Sequence, residues 1–243
     1  MRRLFIEAEL AERIVIEGED ALHLLYAMRA KPGQKIVISD KNGKTANTQI
    51  ESCEPQRVIL NVLGLMENIQ ESPIKTILLQ CLPKADKMDY IVQKAVELGV
   101  SKIIPVASQN CVVKYDIDKR QKRQKKWQKI ADEAAKQCAR DVRPEICSVI
   151  NFAEAVETAE KNITCICYEN EDTLPFKQYL QQQNGSKYAV IIGPEGGFSA
   201  EEVQKCRRAG ITSVSLGKRI LRAETAAIAA LTILQYEKGD LGT

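Results

Sequence analysis

Two short segments hold the residue types suited to chemistry. The first is Ile191-Ile192-Gly193-Pro194-Glu195-Gly196-Gly197-Phe198-Ser199. Its three glycines let a backbone turn sharply and approach a ligand without a Cβ in the way. Ser199 and Glu202 then read as a capping box that opens a helix. The second is Leu216-Gly217-Lys218-Arg219-Ile220-Leu221-Arg222-Ala223-Glu224-Thr225-Ala226, in which apolar residues alternate with arginines. Each segment leaves a strand and enters a helix, the arrangement that cradles small molecules at the carboxyl ends of parallel strands. Read alone, the arginines would be solvated surface and Ile220 and Leu221 core. Two such loops from neighbouring strands would instead line one pocket. The first loop has neither the GxGxxG dinucleotide fingerprint nor the Lys-Ser/Thr of a P-loop, which disfavours both nucleotide classes.

Other chemistries are narrowed by what the chain lacks. Its 243 residues contain one histidine, His23, so multi-histidine metal sites are impossible and any Ser-His-Asp scheme must run through it. His23 lies far in sequence from both loops and reads as structural or RNA-facing rather than catalytic. The eight cysteines are scattered, and in Cys165-x-Cys167 the two thiols would face opposite sides of a strand. They read as reduced, mostly buried thiols of a cytoplasmic protein. The longest uncharged run, Thr225 to Tyr236, is too short to span a membrane. The start, MRRLFIEAELAER, has no apolar stretch of signal-peptide type.

The elements that must position the loops follow from periodicity. Arg13 to Ile16, Lys35 to Ser39, Ala46 to Glu51 and Arg57 to Leu65 read as short strands. Lys31-Pro32-Gly33 and Asp40-Lys41-Asn42-Gly43 are turns between them. With a short helix over Glu19 to Met28, they suggest a small β-barrel. The pattern changes at Glu71-Ser72-Pro73, read as a linker. Thr76 to Leu82 is a continuous apolar strand. A helix follows with Met88, Ile91, Val92, Ala95 and Val96 on one stripe and Gly99 as its stop. Strands at Lys102 to Val106, Ile163 to Tyr168, Tyr188 to Ile192 and Ser213 to Leu216 alternate with helices at Glu201 to Ala209 and Glu224 to Lys238. This alternation predicts an α/β fold with a mostly parallel sheet. The expected domains are residues 1–71 and 74–243.

The two loops resemble motifs of the small-subunit ribosomal RNA uridine N3-methyltransferases, the RsmE family of the SPOUT (α/β-knot) superfamily. The resemblance extends over nearly the whole chain. It includes Lys84-Ala85-Asp86-Lys87-Met88-Asp89, Lys94 to Val100, Trp127 to Ala131, Glu133 to Gln137 with Arg140, and His23-Leu24-Leu25 to Arg29. Cys138-Ala139 departs from it, standing where Ser-Gly is usual, and Lys41-Asn42-Gly43 loosens an Asp-Gly turn.

The resemblance implies a PUA-like barrel followed by a SPOUT domain with a deep trefoil knot, a rare exception to the no-knot rule. It implies a homodimer that binds S-adenosylmethionine, uses no metal, and methylates N3 of one uridine in small-subunit (16S) ribosomal RNA, free or in the assembled 30S subunit. The cofactor residues it implies are Leu82 and Glu169, then Ile192, Gly193, Gly196 and Gly197. From the second loop come Leu216, Ile220, Leu221, Arg222, Thr225 and Ala226. Uracil N3 must lose a weakly acidic proton, so a base or an anion stabiliser is needed. Arg222, a planar fork of permanent charge, suits the anion. Glu224 either orients that arginine or acts as the base, and Glu195 holds the loop.

Net charge is only +3, but it is unevenly spread. From Lys114 to Lys129 there are eight basic residues against two acids, whereas residues 1–72 are net −2. A charge run of this kind is either a solvated helix face or a surface that tracks phosphates. The RNA contacts expected are Arg2, Arg3, Arg29, Lys84, Lys122, Arg123, Lys125, Lys126 and Arg140, with Trp127 anchoring its helix. Two other readings stay open: a knot methyltransferase acting on another nucleotide, and a ribosome-assembly factor that keeps the pocket without the chemistry.

Overall fold

The computed structural model describes residues 3–67, 70–113, 115–171 and 173–242. It divides into two compact units, residues 1–71 with 135–143, and residues 72–134 with 144–243. The first unit holds β1 (Arg3–Phe5), β2 (Arg13–Glu17), α1 (Gly18–Leu22), β3 (Lys35–Ser39), β4 (Thr45–Glu54) and β5 (Arg57–Met66). Its sheet has the order β1-β3-β4-β5-β2, antiparallel except for the β1–β3 pair. Register shifts at Asn47/Thr48 and Ile50/Ser52 mark irregularities in the β4–β5 ladder. Such bulges bend strands and tighten their twist, and the sheet curls into a half-barrel. Alternate residues, among them Ile14, Ile16, Ile36, Ile38, Ile50 and Leu60, form its core with Leu4 and Leu24. The helix expected over Glu19 to Met28 is α1 followed by a wider π turn at His23–Ala27.

Segment 135–143 belongs to this unit through buried charge. Arg140 forks onto Glu71 at 2.5 and 3.2 Å, and Glu71 also accepts the N–H groups of Asp141 and Val142. Arg3 pairs with Asp141 at 2.6 Å, and Asp141 also accepts the Gln70 N–H. Arg140 is 4% exposed, and the Arg3 side chain 9%.

The second unit holds β6 (Lys75–Cys81), α2 (Lys87–Glu97), β7 (Lys102–Ala107), most of α3 (Ile117–Gln137), β8 (Glu145–Ile146), β9 (Ile150–Asn151) and α4 (Phe152–Ala159). β10 (Ile163–Cys167), α5 (Phe176–Gln181), β11 (Lys187–Ile192), α6 (Ala200–Arg208), β12 (Thr212–Val214) and α7 (Ala223–Lys238) complete it. Its parallel sheet has the order β12-β10-β11-β6-β7-β8, with β9 also on β7. β11 is buried from Tyr188 to Ile192, as a strand covered on both faces must be. α7 packs on α2 and α5, while α4 packs on α6. At the end of α2, Gly99 takes φ +79°, and the Val100 and Gly99 N–H groups close onto Ala95 and Val96 in a Schellman motif. β12 ends two residues before the strand expected there: Ser215 bridges to Pro175 instead, and Leu216 leaves the sheet. No described helix is long and apolar enough to cross a membrane.

α3 ends in the same way as α2, but without glycine. Ala139 takes φ +61°, and the Arg140 N–H closes onto Ala135. An L side chain in this region costs roughly 1–2 kcal/mol, while the entropy lost to glycine costs about 0.4–1 kcal/mol. Ala139→Gly should therefore raise stability by about 0.5–1 kcal/mol, read as a higher urea midpoint at unchanged slope.

Candidate functional site

Three loops leave the carboxyl ends of β10, β11 and β12 and enclose a cavity of about 470 Å³, in the range of small-molecule pockets. The β10 loop contributes Cys167, Tyr168 and Glu169, and the β11 loop contributes Ile192 to Gly197. The segment from Ser215 to Ala223, with Ala226, forms the third wall. Of the residues the resemblance implies for the cofactor, Glu169, Ile192, Gly193, Gly196, Gly197, Leu216, Ile220, Leu221, Arg222 and Ala226 line this cavity. Two others lie elsewhere. Leu82 is 2% exposed and bonds the Val106 carbonyl, and Thr225 faces outward from the first turn of α7. Cys167, Tyr168 and Ser215 line the cavity without having been expected. Their only signal was their position at or just after the end of a strand.

The glycine loop is fixed from both ends. Ser199 and Glu202 form the expected capping box of α6, and Glu202 also accepts the Gln109 N–H at 2.8 Å. The Asn110 amide donates to the carbonyls of Gly196 and Gly197 at 3.1 and 3.2 Å. A Cβ on Gly196 would meet that of Asn110 at 3.0 Å. Gly197 takes φ +65°, and a Cβ there would collide with the Glu169 carboxylate. Glycine is favoured at Gly197 by its backbone angle and at Gly196 by the tight approach of Asn110, and the loop's backbone is left bare to the cavity.

Charge is arranged around the rim. Glu195 accepts the Lys84 N–H on both oxygens and the Lys87 ammonium at 2.8 Å. Burial pushes its carboxyl up, but Lys87 and the Lys84 N–H outweigh this and leave it below the usual value. Glu224 does not line the cavity. Its Oε2 turns to Lys87 at 3.2 Å, a charge contact rather than an aligned hydrogen bond. Hydrogen bonding to Glu195 is the main cause of a raised Lys87 pKa, despite the opposing effect of burial, and Glu224 adds to it. Arg222 precedes α7 as its extended N-cap residue, with its neighbours Leu221 and Ala223 also on the cavity wall. Ile220 is 87% exposed, so it belongs to the rim.

The residues expected at RNA fall into separate groups. Arg2 lies outside the described residues. Arg3 and Arg140 are buried in the ion pairs of the first unit, so their charge is already used internally. Arg29 and Lys84 are exposed. On α3, Lys122, Arg123 and Lys126 line a shallow basic cleft with Tyr115 and Lys119. Lys126 pairs with Asp89 at 2.5 Å, and Asp86 lies 3.9 Å from both Lys126 and Arg123. The exposed Lys122 and Lys125 stand outside these pairs. Trp127 is 1% exposed and donates to Asp89, anchoring the helix. His23 is exposed in the π turn. Among the described residues no cluster of His, Cys, Asp and Glu could hold a metal.

A family model described as an RNA methyltransferase domain matches residues 70–235, and one described as an RNA methyltransferase PUA domain matches residues 16–63. The class defined by this fold and pocket is thus a two-domain RNA methyltransferase. A Bacillus subtilis relative, ribosomal RNA small subunit methyltransferase E, is 32% identical over 98% of this chain and 97% of its own length. The chain belongs to the ribosomal RNA small subunit methyltransferase E family. A Neisseria gonorrhoeae member bound to S-adenosyl methionine is similar in structure, with TM-score 0.86, 31% identity and 99% of each chain covered. A Legionella pneumophila methyltransferase in complex with the same cofactor gives TM-score 0.85 and 31% identity over 98% of each chain.

Gly197→Ala should lower stability by about 0.5–1 kcal/mol from strain at positive φ net of the glycine entropy, and by more where the Glu169 carboxylate must move aside. Urea denaturation checks this.

Proposed function

We propose that the protein transfers a methyl group from S-adenosylmethionine to N3 of a uridine in small-subunit ribosomal RNA. The observation that carries the reading is the cavity built by three strand-end loops, with bare glycine backbone on one wall and Arg222 on another. The residues fit the cofactor. Ile192, Leu216 and Leu221 offer an apolar slot for an adenine, with backbone polar groups beside it. Glu169 brings a carboxylate to the lining, which would suit the cationic groups of the cofactor, whereas Glu195 is already paired with Lys87. The cofactor supplies a methyl group made electrophilic by the sulfonium.

The remaining work falls to side chains of this protein. Uracil becomes nucleophilic at N3 as its proton passes to solvent water, and charge then spreads over O2, N3 and O4 until N3 takes the methyl group and the sulfonium is released as a neutral thioether. Arg222 stabilises that charge as it develops. Glu224, turned to Lys87, acts on the placement of the neighbouring Arg222 rather than as the base. Exposed Arg29, Lys84, Lys122 and Lys125, with Arg123 and Lys126, hold RNA phosphates. On the strength of the family resemblance the enzyme works as a homodimer in the cytoplasm, on free RNA or the assembled subunit.

Labelled methyl incorporation into ribosomal RNA, mapped by mass spectrometry, tests the reading. A product at uridine N3 is expected. A product on another nucleotide, or none, overturns it. Arg222→Ala should abolish incorporation while calorimetry still detects S-adenosylmethionine binding. Replacing Lys122, Arg123, Lys125 and Lys126 by alanine should flatten the dependence of log RNA affinity on log salt. The slope should fall by about 0.7 for each single-strand phosphate that is no longer neutralised.

A further inference from the structure

Lys87 is an unusual residue for its place. It opens α2, where the helix dipole favours anions and disfavours an ammonium. Local preference therefore does not explain it, and its contacts lie outside its own helix. The ammonium sits 2.8 Å from Glu195 on the glycine loop and 3.2 Å from Glu224 at the start of α7. Glu195 lines the cavity and Glu224 stands behind it, one residue past the lining residue Ala223, and without a cation between them the two carboxylates would repel. Glu195 also takes the Lys84 N–H, which adds the segment between β6 and α2 to the same junction.

We propose that Lys87 is a positioning residue for the cofactor pocket, an ammonium clamp that sets the glycine loop against the start of α7 before the cofactor arrives. The inference rests on the reading of the cavity as an S-adenosylmethionine site. Asn110 holds the glycine loop at Gly196 and Gly197, and Lys87 holds it at Glu195, so the loop is tied at both sides of its turn. The other arm of the clamp fixes Glu224, two residues beyond Arg222. Loops held in the binding shape need not be ordered at the cost of binding free energy. Once the cofactor fills the cavity it orders the same walls itself. Removing the clamp should therefore weaken cofactor affinity more than it slows the bound enzyme.

The test compares wild type, Lys87→Met, Lys87→Arg, Glu195→Gln and the double variant Lys87→Met/Glu195→Gln. Calorimetric titration with S-adenosylmethionine alone should show about fivefold weaker binding for Lys87→Met, the size expected of two partly exposed ion pairs. Lys87→Arg should recover most of that affinity. The double variant should bind no more weakly than the worse single variant, because both remove one junction. At saturating cofactor, kcat of Lys87→Met should fall less than its KM for cofactor rises. Unchanged affinity in Lys87→Met, fully additive effects, or a fall in kcat at unchanged affinity would each overturn the clamp. If Lys87→Met does not fold, Glu195→Gln carries the same expectation for affinity and the same power to overturn it. Wild-type protein that fails to bind S-adenosylmethionine would overturn the cofactor reading and the clamp with it.

Discussion

The register of three parallel strands governs the pocket. Cys167 of β10 lies opposite Ile192 of β11 on one side and Val214 of β12 on the other. All three strands thus end at one level, and the loops that follow emerge side by side. A slip of one residue would stagger the loops by about 3.3 Å and turn each strand's side chains to the opposite face. Burial prevents the slip. β11, between β6 and β10, is buried over five consecutive residues, and moving it would disturb the packing of both its faces. The position of every group at the cavity follows from this alignment.

What sequence reveals and what it conceals can be traced to individual residues. The Ser199–Glu202 box, the Gly99 stop and the apolar run of β11 are local signals, complete within a few residues, and they are legible. β1 is three residues long and exists through its parallel pairing with Lys35–Ser39, which no local pattern announces. α4 carries a capping box of its own, Asn151 with Glu154, and buries Phe152, Ala155, Val156 and Ala159 at helical spacing, so its signal is as local as that of α6 although it was not among the expected elements. In the site, residues within the two glycine-bearing loops are placed well by motif. Thr225 is adjacent to the pocket residue Ala226 in sequence but faces outward, and Leu82 is buried where β6 ends, away from both loops in sequence. Whether an arginine is exposed is a tertiary property. Arg140 and Arg123 look alike in a string, yet one is sealed against Glu71 and the other lines an open cleft.

The walls of the cavity are also divided by charge. The β10 loop brings the carboxylate of Glu169, that of Glu195 on the β11 loop being paired with Lys87, while the loop after β12 brings Lys218, Arg219 and Arg222. A cation suits one side and an anion the other, so two reactants of opposite charge can be received without exchanging places. The same division explains why the mild net charge of the chain says little about its partners. On α3, several of the eight counted cations already face Asp86, Asp89 or Asp116.

The buried charges of segment 135–143 bear on how the protein can be cut. Glu71 and Arg3 find their counter-ions some seventy and more residues downstream, in Arg140 and Asp141. A fragment ending at residue 71 would keep both charges, lose both partners and bare the surface that segment 135–143 covers. The half-barrel is thus not a detachable module in the linear sense. Any graft or shuffled chimera that carries it must also carry a nine-residue patch from the far end of α3.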